Sequence, residues 1–193
     1  MALNSSKLRV RLGDLSVGFV QSLAAAMRQL GADPAPLLSQ YHLSPQRLGK
    51  ARERLSIPRF MRLGHAAISL TGEPALGLLM GQLGHISQAG LAGVTAAQAP
   101  TLREAARTLI RFEPLYAHNY RGQSSFSEDP QGAWLRFYSI SPYNPFNHFV
   151  VDSVLAGWLH QLSGVCGQAL TAERVQIEFA APSYAERYEA CFG

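Results

Sequence analysis

The chain has 193 residues, 47% of them hydrophobic and 16% charged, which suits a folded domain with a sizeable core and excludes wholesale disorder. No apolar run approaches the roughly 20 residues of a membrane helix, and the first residues lack the apolar stretch of a secretory signal, so we expect a cytoplasmic protein. Two cysteines, Cys166 and Cys191, make no disulfide framework or CxxC metal pair, and a net charge of +4 does not by itself indicate nucleic-acid binding.

The N-terminal third is predicted to be helical after a short arm. Residues 1–14 show no sustained period and are expected to form an arm or a frayed tail. From Leu15 onward, apolar residues recur every three or four positions, with Ser16 as the expected N-cap. Shorter helices are predicted to start at Pro34 and Pro45, because proline is favoured in the first turn of a helix.

The same third carries most of the positive charge. Residues 1–62 contain ten Lys and Arg against three Asp and Glu, whereas the rest of the chain has seven against ten. The basic segment 33–62 could contact DNA phosphates. A solvated face, or a patch that meets an acidic neighbouring subunit, explains the charge without DNA, and we favour that interpretation.

The middle of the chain predicts three further helices. A long amphipathic helix opens after Ser56, and the next one carries Gly77 and Gly81, whose four-residue spacing favours close backbone packing against a neighbour. Thr101 is followed three residues later by Glu104, which is the capping-box arrangement at a helix start.

The pattern then alternates between strands and helices. Residues 133–140 alternate as a strand, and the turn at 128–132 makes the polar segment that ends in Phe126 its antiparallel partner. A strong helical stripe follows at 151–162, residues 174–179 alternate as another strand, and a short helix closes the chain. We therefore predict an α+β fold that is mainly helical, with a small, mostly antiparallel sheet covered by helices.

Motifs that carry chemistry are not found in the sequence. There is no HExxH, no phosphate-binding loop, no GxGxxG opening a helix and no GxSxG elbow. His148 and Asp152 have the spacing of two metal ligands on one helix, but two ligands are too few for a site. We expect no enzymatic activity, no cofactor and no metal.

Aromatic and basic residues cluster in the second half of the chain. Such a mixture is typical of a mostly apolar small-molecule pocket with a few orienting donors, although the rings could equally form the core between sheet and helices. If the face of the strand that carries Arg136 points inward, that side chain needs an anionic partner. The candidate ligand-binding residues are Arg111, Tyr116, His118, Tyr120, Trp134, Arg136 and Tyr138.

Four segments, taken in order, resemble the N-terminal arabinose-binding-like domain of AraC-type bacterial transcription regulators. They are LTGEPALGLLMG at 70–81, GLAG at 90–93, PTLREAA at 100–106 running into Arg111-Phe112, and VQIEF at 175–179 with the closing CFG at 191–193.

The resemblance implies that residues 1–193 form a single regulatory domain that binds a small-molecule effector, dimerises, or does both. It also implies that segment 33–62 belongs to the sensing domain, and that DNA is bound by a separate C-terminal helix-turn-helix domain that this chain lacks. A homodimer without membrane contact is expected. A pure oligomerisation module and direct DNA contact through 33–62 remain alternatives. No motif carries ligand-binding residues across from the family.

Overall fold

The computed structural model describes residues 12–50, 52–139 and 142–193, so most of the expected N-terminal arm lies outside the described residues. The strands are β1 (Gly13–Ser16), β2 (Arg54–Ser56), β3 (Ala117–Asn119), β4 (Ser125–Asp129) and β5 (Gly132–Arg136). The helices are α1 (Gly18–Gln29), α2 (Ala35–Gln40), α3 (Pro45–Leu48), α4 (Ile57–Thr71), α5 (Leu76–Gln82), α6 (Leu91–Ala97), α7 (Leu102–Arg111), α8 (Pro145–Cys166) and α9 (Glu186–Phe192). The predicted α+β class is confirmed.

Two small antiparallel sheets accompany the helices. In the three-stranded sheet β1 lies between β2 and β3, and Leu15 pairs with Leu55 on one side and Ala117 on the other. The hairpin of β4 and β5 pairs Phe126 with Leu135, as the turn between them predicts. The predicted hairpin is confirmed, but its second strand ends at Arg136 rather than at 140, and it forms a sheet of its own.

Helix α8 is the central element of the fold. It packs against α4, α5, α7 and α9. Phe149 belongs to the core formed with α1 and α4, Leu162 to the core under α6 and α7, and Ala156 to a small cluster with Phe192 of α9. A shift of α8 therefore affects every part of the core.

Glycines bring α5 and α8 into close contact. A Cβ atom added at Gly77 would lie 2.7 Å from the Phe149 carbonyl oxygen, and one added at Gly81 would lie 2.7 Å from the Ala156 Cβ. Real Cβ atoms do not approach so closely, so only glycine fits at either position. This confirms the close packing predicted from the four-residue spacing.

Side-chain caps fix several helix starts. The Thr101 hydroxyl accepts a hydrogen bond from the Glu104 amide at 3.2 Å, which confirms the predicted cap of α7. At the start of α8, Asn144 and Asn147 form a reciprocal capping box that the sequence pattern did not indicate, because the usual Ser/Thr and Glu/Gln pair is replaced by two asparagines.

One predicted strand is wrong, and one predicted helix starts later than expected. Residues 174–179 form no strand and pair with none of the described strands. The helix expected from Leu15 begins at Gly18, because residues 13–16 are taken into the central strand of the sheet. Ser16 nevertheless accepts a hydrogen bond from the Gly18 amide, at 3.2 Å.

Helix α8 also has the length and apolar composition of a membrane-spanning helix, and it is the one such helix in the described part of the chain. Almost half of its most apolar stretch is buried by the rest of the protein. Its contacts with four other helices are those of a core helix, which passes the same test of length and composition.

Candidate functional site

A cavity lies between α8 and the three-stranded sheet, with further walls from α1, α4 and α5. The segment after β5, residues 137–139, borders it as well. The volume of this cavity is about 80 Å³. Since roughly 10–15 Å³ of such space holds one water molecule, the cavity has room for a small organic group.

The walls are rich in aromatic rings. The Phe19 ring centroid lies 6.3 Å from that of Phe60 and 6.4 Å from that of Tyr116. On the opposite wall, Phe137 meets Trp158 edge-to-face at 6.0 Å. Rings that contact one another hold fixed positions, so they present a preformed apolar surface to a ligand.

One carboxylate, that of Glu113, borders the cavity. Glu113 lies in a short 3-10 turn, Glu113–Leu115, that follows α7, and only 8% of its surface is exposed. Its two oxygens accept hydrogen bonds from the Ser124 hydroxyl at 2.8 Å and the Ser124 amide at 3.1 Å. Burial raises the pKa of Glu113, and the two bonds from Ser124 oppose that rise only in part.

Tyr116 connects this turn to the apolar walls. Its hydroxyl donates to the Leu109 carbonyl at 3.0 Å, which fixes the ring against the end of α7. Burial raises the pKa of Tyr116, and the nearby negative charge of Glu113 raises it further. Tyr116 is therefore a neutral phenol whose proton is already donated, leaving its ring as the face available to a ligand.

Among the described residues, the remaining polar groups at the cavity are neutral. Ser22 donates to the Gln88 side-chain oxygen at 2.6 Å, and Ser153 donates to the Val150 carbonyl at 2.9 Å. Asn119, which also lines the cavity, donates to the Tyr138 carbonyl at 3.4 Å. A few fixed polar groups in an apolar enclosure can orient a ligand without dominating its binding.

A second buried carboxylate, Asp152 of α8, lies outside the cavity. It accepts hydrogen bonds from the Tyr184 hydroxyl at 2.6 Å and the Tyr188 hydroxyl at 2.8 Å. Burial raises the pKa of Asp152; the two phenol donors and the nearby His148 oppose the rise. Asp152 thus fastens the C-terminal segment to α8, whose next residues, Ser153 and Val154, line the cavity.

Comparison with known proteins agrees with this architecture. Residues 31–193 match the family described as the arabinose-binding domain of AraC transcription regulators, at their N-terminus. The chain belongs to this family. The membership confirms the resemblance of the four sequence segments and makes the chain a domain of a transcription-regulator family rather than of an enzyme family.

A curated relative of this arabinose-binding domain is the ornithine utilization regulator of Pseudomonas aeruginosa. The two are 25% identical over 177 residues, which cover 92% of this chain and 52% of the relative. The chain therefore spans about half the length of the relative that it matches.

Within the arabinose-binding domain, two of the seven predicted ligand-binding residues line the cavity. Tyr116 and Tyr138 both line it, and Tyr138 has 42% of its surface exposed. Whether either contacts a ligand stays a prediction.

The other five predicted residues lie outside the cavity lining. His118 and Tyr120 stack edge-to-face at 4.7 Å, with Tyr120 half exposed. The guanidinium of Arg111 lies over the neighbouring Phe112 ring, 5.6 Å from its centroid. Trp134 is covered by the Arg174 guanidinium, which lies 5.8 Å from a ring centroid of Trp134.

Arg136 is exposed and donates to the Ser127 hydroxyl on the paired strand at 3.1 Å. Arg136 would need an anionic partner only if its face of the strand pointed inward, and that face points outward.

Several arginines of the basic segment 33–62 form ion pairs or hydrogen bonds within the domain. Arg47 pairs with Glu53, Arg54 pairs with Asp14 across β1 and β2, and the Arg59 guanidinium donates to a backbone carbonyl of the same segment. These partners hold the segment to the fold. They favour the structural interpretation of its charge over DNA contact.

Sequence reasoning missed Glu113. The available signal was a lone acid between Phe112 and Pro114, at the end of an amphipathic helix and among apolar residues. An acid in such a place is often buried. Its partner Ser124 and the walls opposite it come from distant parts of the chain, which a local pattern does not reveal.

Proposed function

We propose that this chain is the effector-sensing domain of an AraC-type regulator, and that a small, largely apolar molecule binds in the cavity between α8 and the three-stranded sheet. The supporting observation is the lining of the cavity: its aromatic walls and its few oriented polar groups are those of a small-molecule site. Tyr116 and Tyr138 are the predicted ligand contacts that we retain.

The proposed effect on transcription requires that the ligand favour one arrangement of the domain over another. Helix α8 is suited to transmit such a preference. It lines the cavity with Val154 and Trp158, and its Asp152 holds the C-terminal segment through two tyrosine hydroxyls. We propose that a DNA-binding domain attached in the full regulator responds to the position of this segment, in the cytoplasm.

Filling the cavity tests this proposal. Val154→Phe adds a ring to the cavity wall, so ligands found by calorimetric screening of the wild-type chain should bind this variant at least about tenfold more weakly, a loss of about 1.4 kcal/mol. Val175→Phe makes the same change at an exposed position outside the cavity and should leave affinity unchanged. Equal affinity for wild type and Val154→Phe would contradict the proposed site.

A second candidate function is homodimerisation, with or without an effector. Helix α6 exposes Leu91 with 75% and Val94 with 54% of their surface, one helical turn apart. Neighbouring apolar side chains on one exposed face are typical of protein–protein interfaces. We propose that this face meets a second copy of the chain.

A further inference from the structure

The chemical class of the proposed effector can be inferred from the charges around the cavity. Among the described residues that line it, Glu113 is the one Asp, Glu, Lys, Arg or His; the remaining polar groups there are hydroxyls, amides and the indole of Trp158. A ligand in this cavity therefore meets a single ionisable acid and no basic side chain from the described part of the chain.

Glu113 also lacks a cationic partner. Within the described ranges no Lys, Arg or His forms an ion pair with it, and Ser124 alone supplies both of its hydrogen bonds. A carboxylate has about four acceptor positions, so each oxygen can accept a further donor. Burying an ionised carboxylate without a cation is costly, and a cation that arrives with a ligand would offset that cost.

An anionic ligand has the opposite effect. A carboxylate or phosphate group in this cavity would lose its hydration and find one acid and no described cation, so its binding is disfavoured. A free α-amino acid brings both charges, and its carboxylate would remain unpaired. The electrostatics therefore select against anions and zwitterions.

The aromatic walls determine which chemical groups the rest of the ligand can carry. Tyr116 has its hydroxyl bound to Leu109 and turns its ring toward the cavity beside Glu113, with Phe19 stacked next to it. Such rings bind apolar groups, and their faces also attract an ammonium group held nearby.

Resting on the proposed function, we infer that the effector is an apolar molecule that carries one cationic amine, and that this ammonium group binds the Glu113 carboxylate. The remaining alkyl or aromatic part occupies the space between Phe19, Phe137 and Trp158. Glu113 would thus select the ligand class, and the rings would supply most of the contact area.

Three matched probes test this inference on the wild-type chain by isothermal titration calorimetry: 4-phenylbutylamine, 4-phenylbutan-1-ol and 4-phenylbutanoate. They share an apolar body and differ in the charge of the end group. The amine should bind about tenfold or more tightly than the alcohol, as expected for a hydrogen bond to a buried charge, and the carboxylate should bind most weakly. Equal or tighter binding of the alcohol or the carboxylate would overturn the inference.

Glu113→Gln removes the negative charge of the side chain and keeps nearly the same shape. It should weaken binding of the amine about tenfold or more and leave binding of the alcohol unchanged, which also shows that the variant is folded. Ser124→Ala, which keeps the carboxylate, should retain the preference for the amine. Glu173→Gln, an exposed acid outside the cavity, is the matched control.

The outcomes distinguish this inference from the proposed function. If all three probes bind with similar affinity, and Val154→Phe weakens all of them, the cavity is a ligand site but the amine preference is wrong. If none of the probes binds at millimolar concentration, the inference and the proposed apolar site both fail.

Discussion

At the scale of single residues, two buried acids carry the unusual electrostatics of the domain, and they have different roles. Glu113 borders the cavity, whereas Asp152 holds the C-terminal segment. Both have a raised pKa because burial disfavours the charged form. Each therefore makes the folded state more tolerant of low pH than an exposed acid would.

Asp152 gives a pH prediction whose sign follows from this shift. Its folded-state pKa lies above the unfolded value of about 3.9, so its favourable contribution to stability is complete below that value and decreases as pH rises through the folded pKa. Asp152→Asn does not titrate. The stability of wild type relative to Asp152→Asn should therefore fall as pH is raised from about 3 toward 7.

Urea unfolding at a series of pH values measures this difference. The groups that face Asp152, namely Tyr184, Tyr188, His148 and Cys191, are the same in both proteins and largely cancel. Glu173→Gln serves as the control and should show no such trend, because Glu173 is exposed. A wild-type advantage that grows with pH would show that the phenol donors outweigh burial.

At the scale of elements, the contact between α5 and α8 depends on which glycine is replaced. Gly81→Ala should lower the free energy of unfolding by about 1–3 kcal/mol, since its Cβ would press against Ala156 and force the helices apart. Gly157→Ala should instead be neutral or stabilise by up to about 1 kcal/mol. Its added Cβ has no neighbour closer than the Gly81 Cα, at 3.8 Å.

Thermal unfolding of the two alanine variants measures this difference in stability. Both variants make the same chemical change, each in one helix of the same pair. If both variants were more stable than wild type, the gain in helix propensity would outweigh the clash, and the two helices would tolerate a wider separation.

Most of the elements could be predicted from local signals. Thr101 marks the start of α7 because a hydroxyl cap acts within one turn, and the α5 glycines indicate close packing because only glycine allows it. The error at 174–179 has a physical cause: alternation shows that a segment has two unlike faces, but not that it pairs with another strand. Whether such a segment lies beside a strand depends on the whole fold.

At the scale of the whole molecule, the candidate site was predicted only in part. Tyr116 and Tyr138 were recognised as aromatic residues near the sheet, but the cavity also needs α1, α5 and α8, which are far apart in sequence. Which face of the hairpin is exposed also depends on tertiary packing, and it leaves Trp134 and Arg136 outside the cavity lining.

The exposed face of α6 predicts the assembly state. If a second copy covers it, the double variant Leu91→Glu, Val94→Glu should shift the chain from dimer to monomer in sedimentation velocity, because charged groups are costly to bury in an interface. Leu70→Glu, on the exposed side of α4, is the matched control and should leave the mass unchanged. A wild-type chain that is monomeric at high micromolar concentration would rule this interface out.

The position of Trp158 has a practical consequence. The chain has two tryptophans, Trp158 in the cavity wall and Trp134 on the hairpin beneath Arg174. Indole emission depends on the polarity around the ring, and the half-buried Trp134 is the one other source of it. Replacing Trp134 with Phe leaves a single emitter at the cavity wall, so the domain carries an intrinsic optical reporter of cavity occupancy and needs no attached dye.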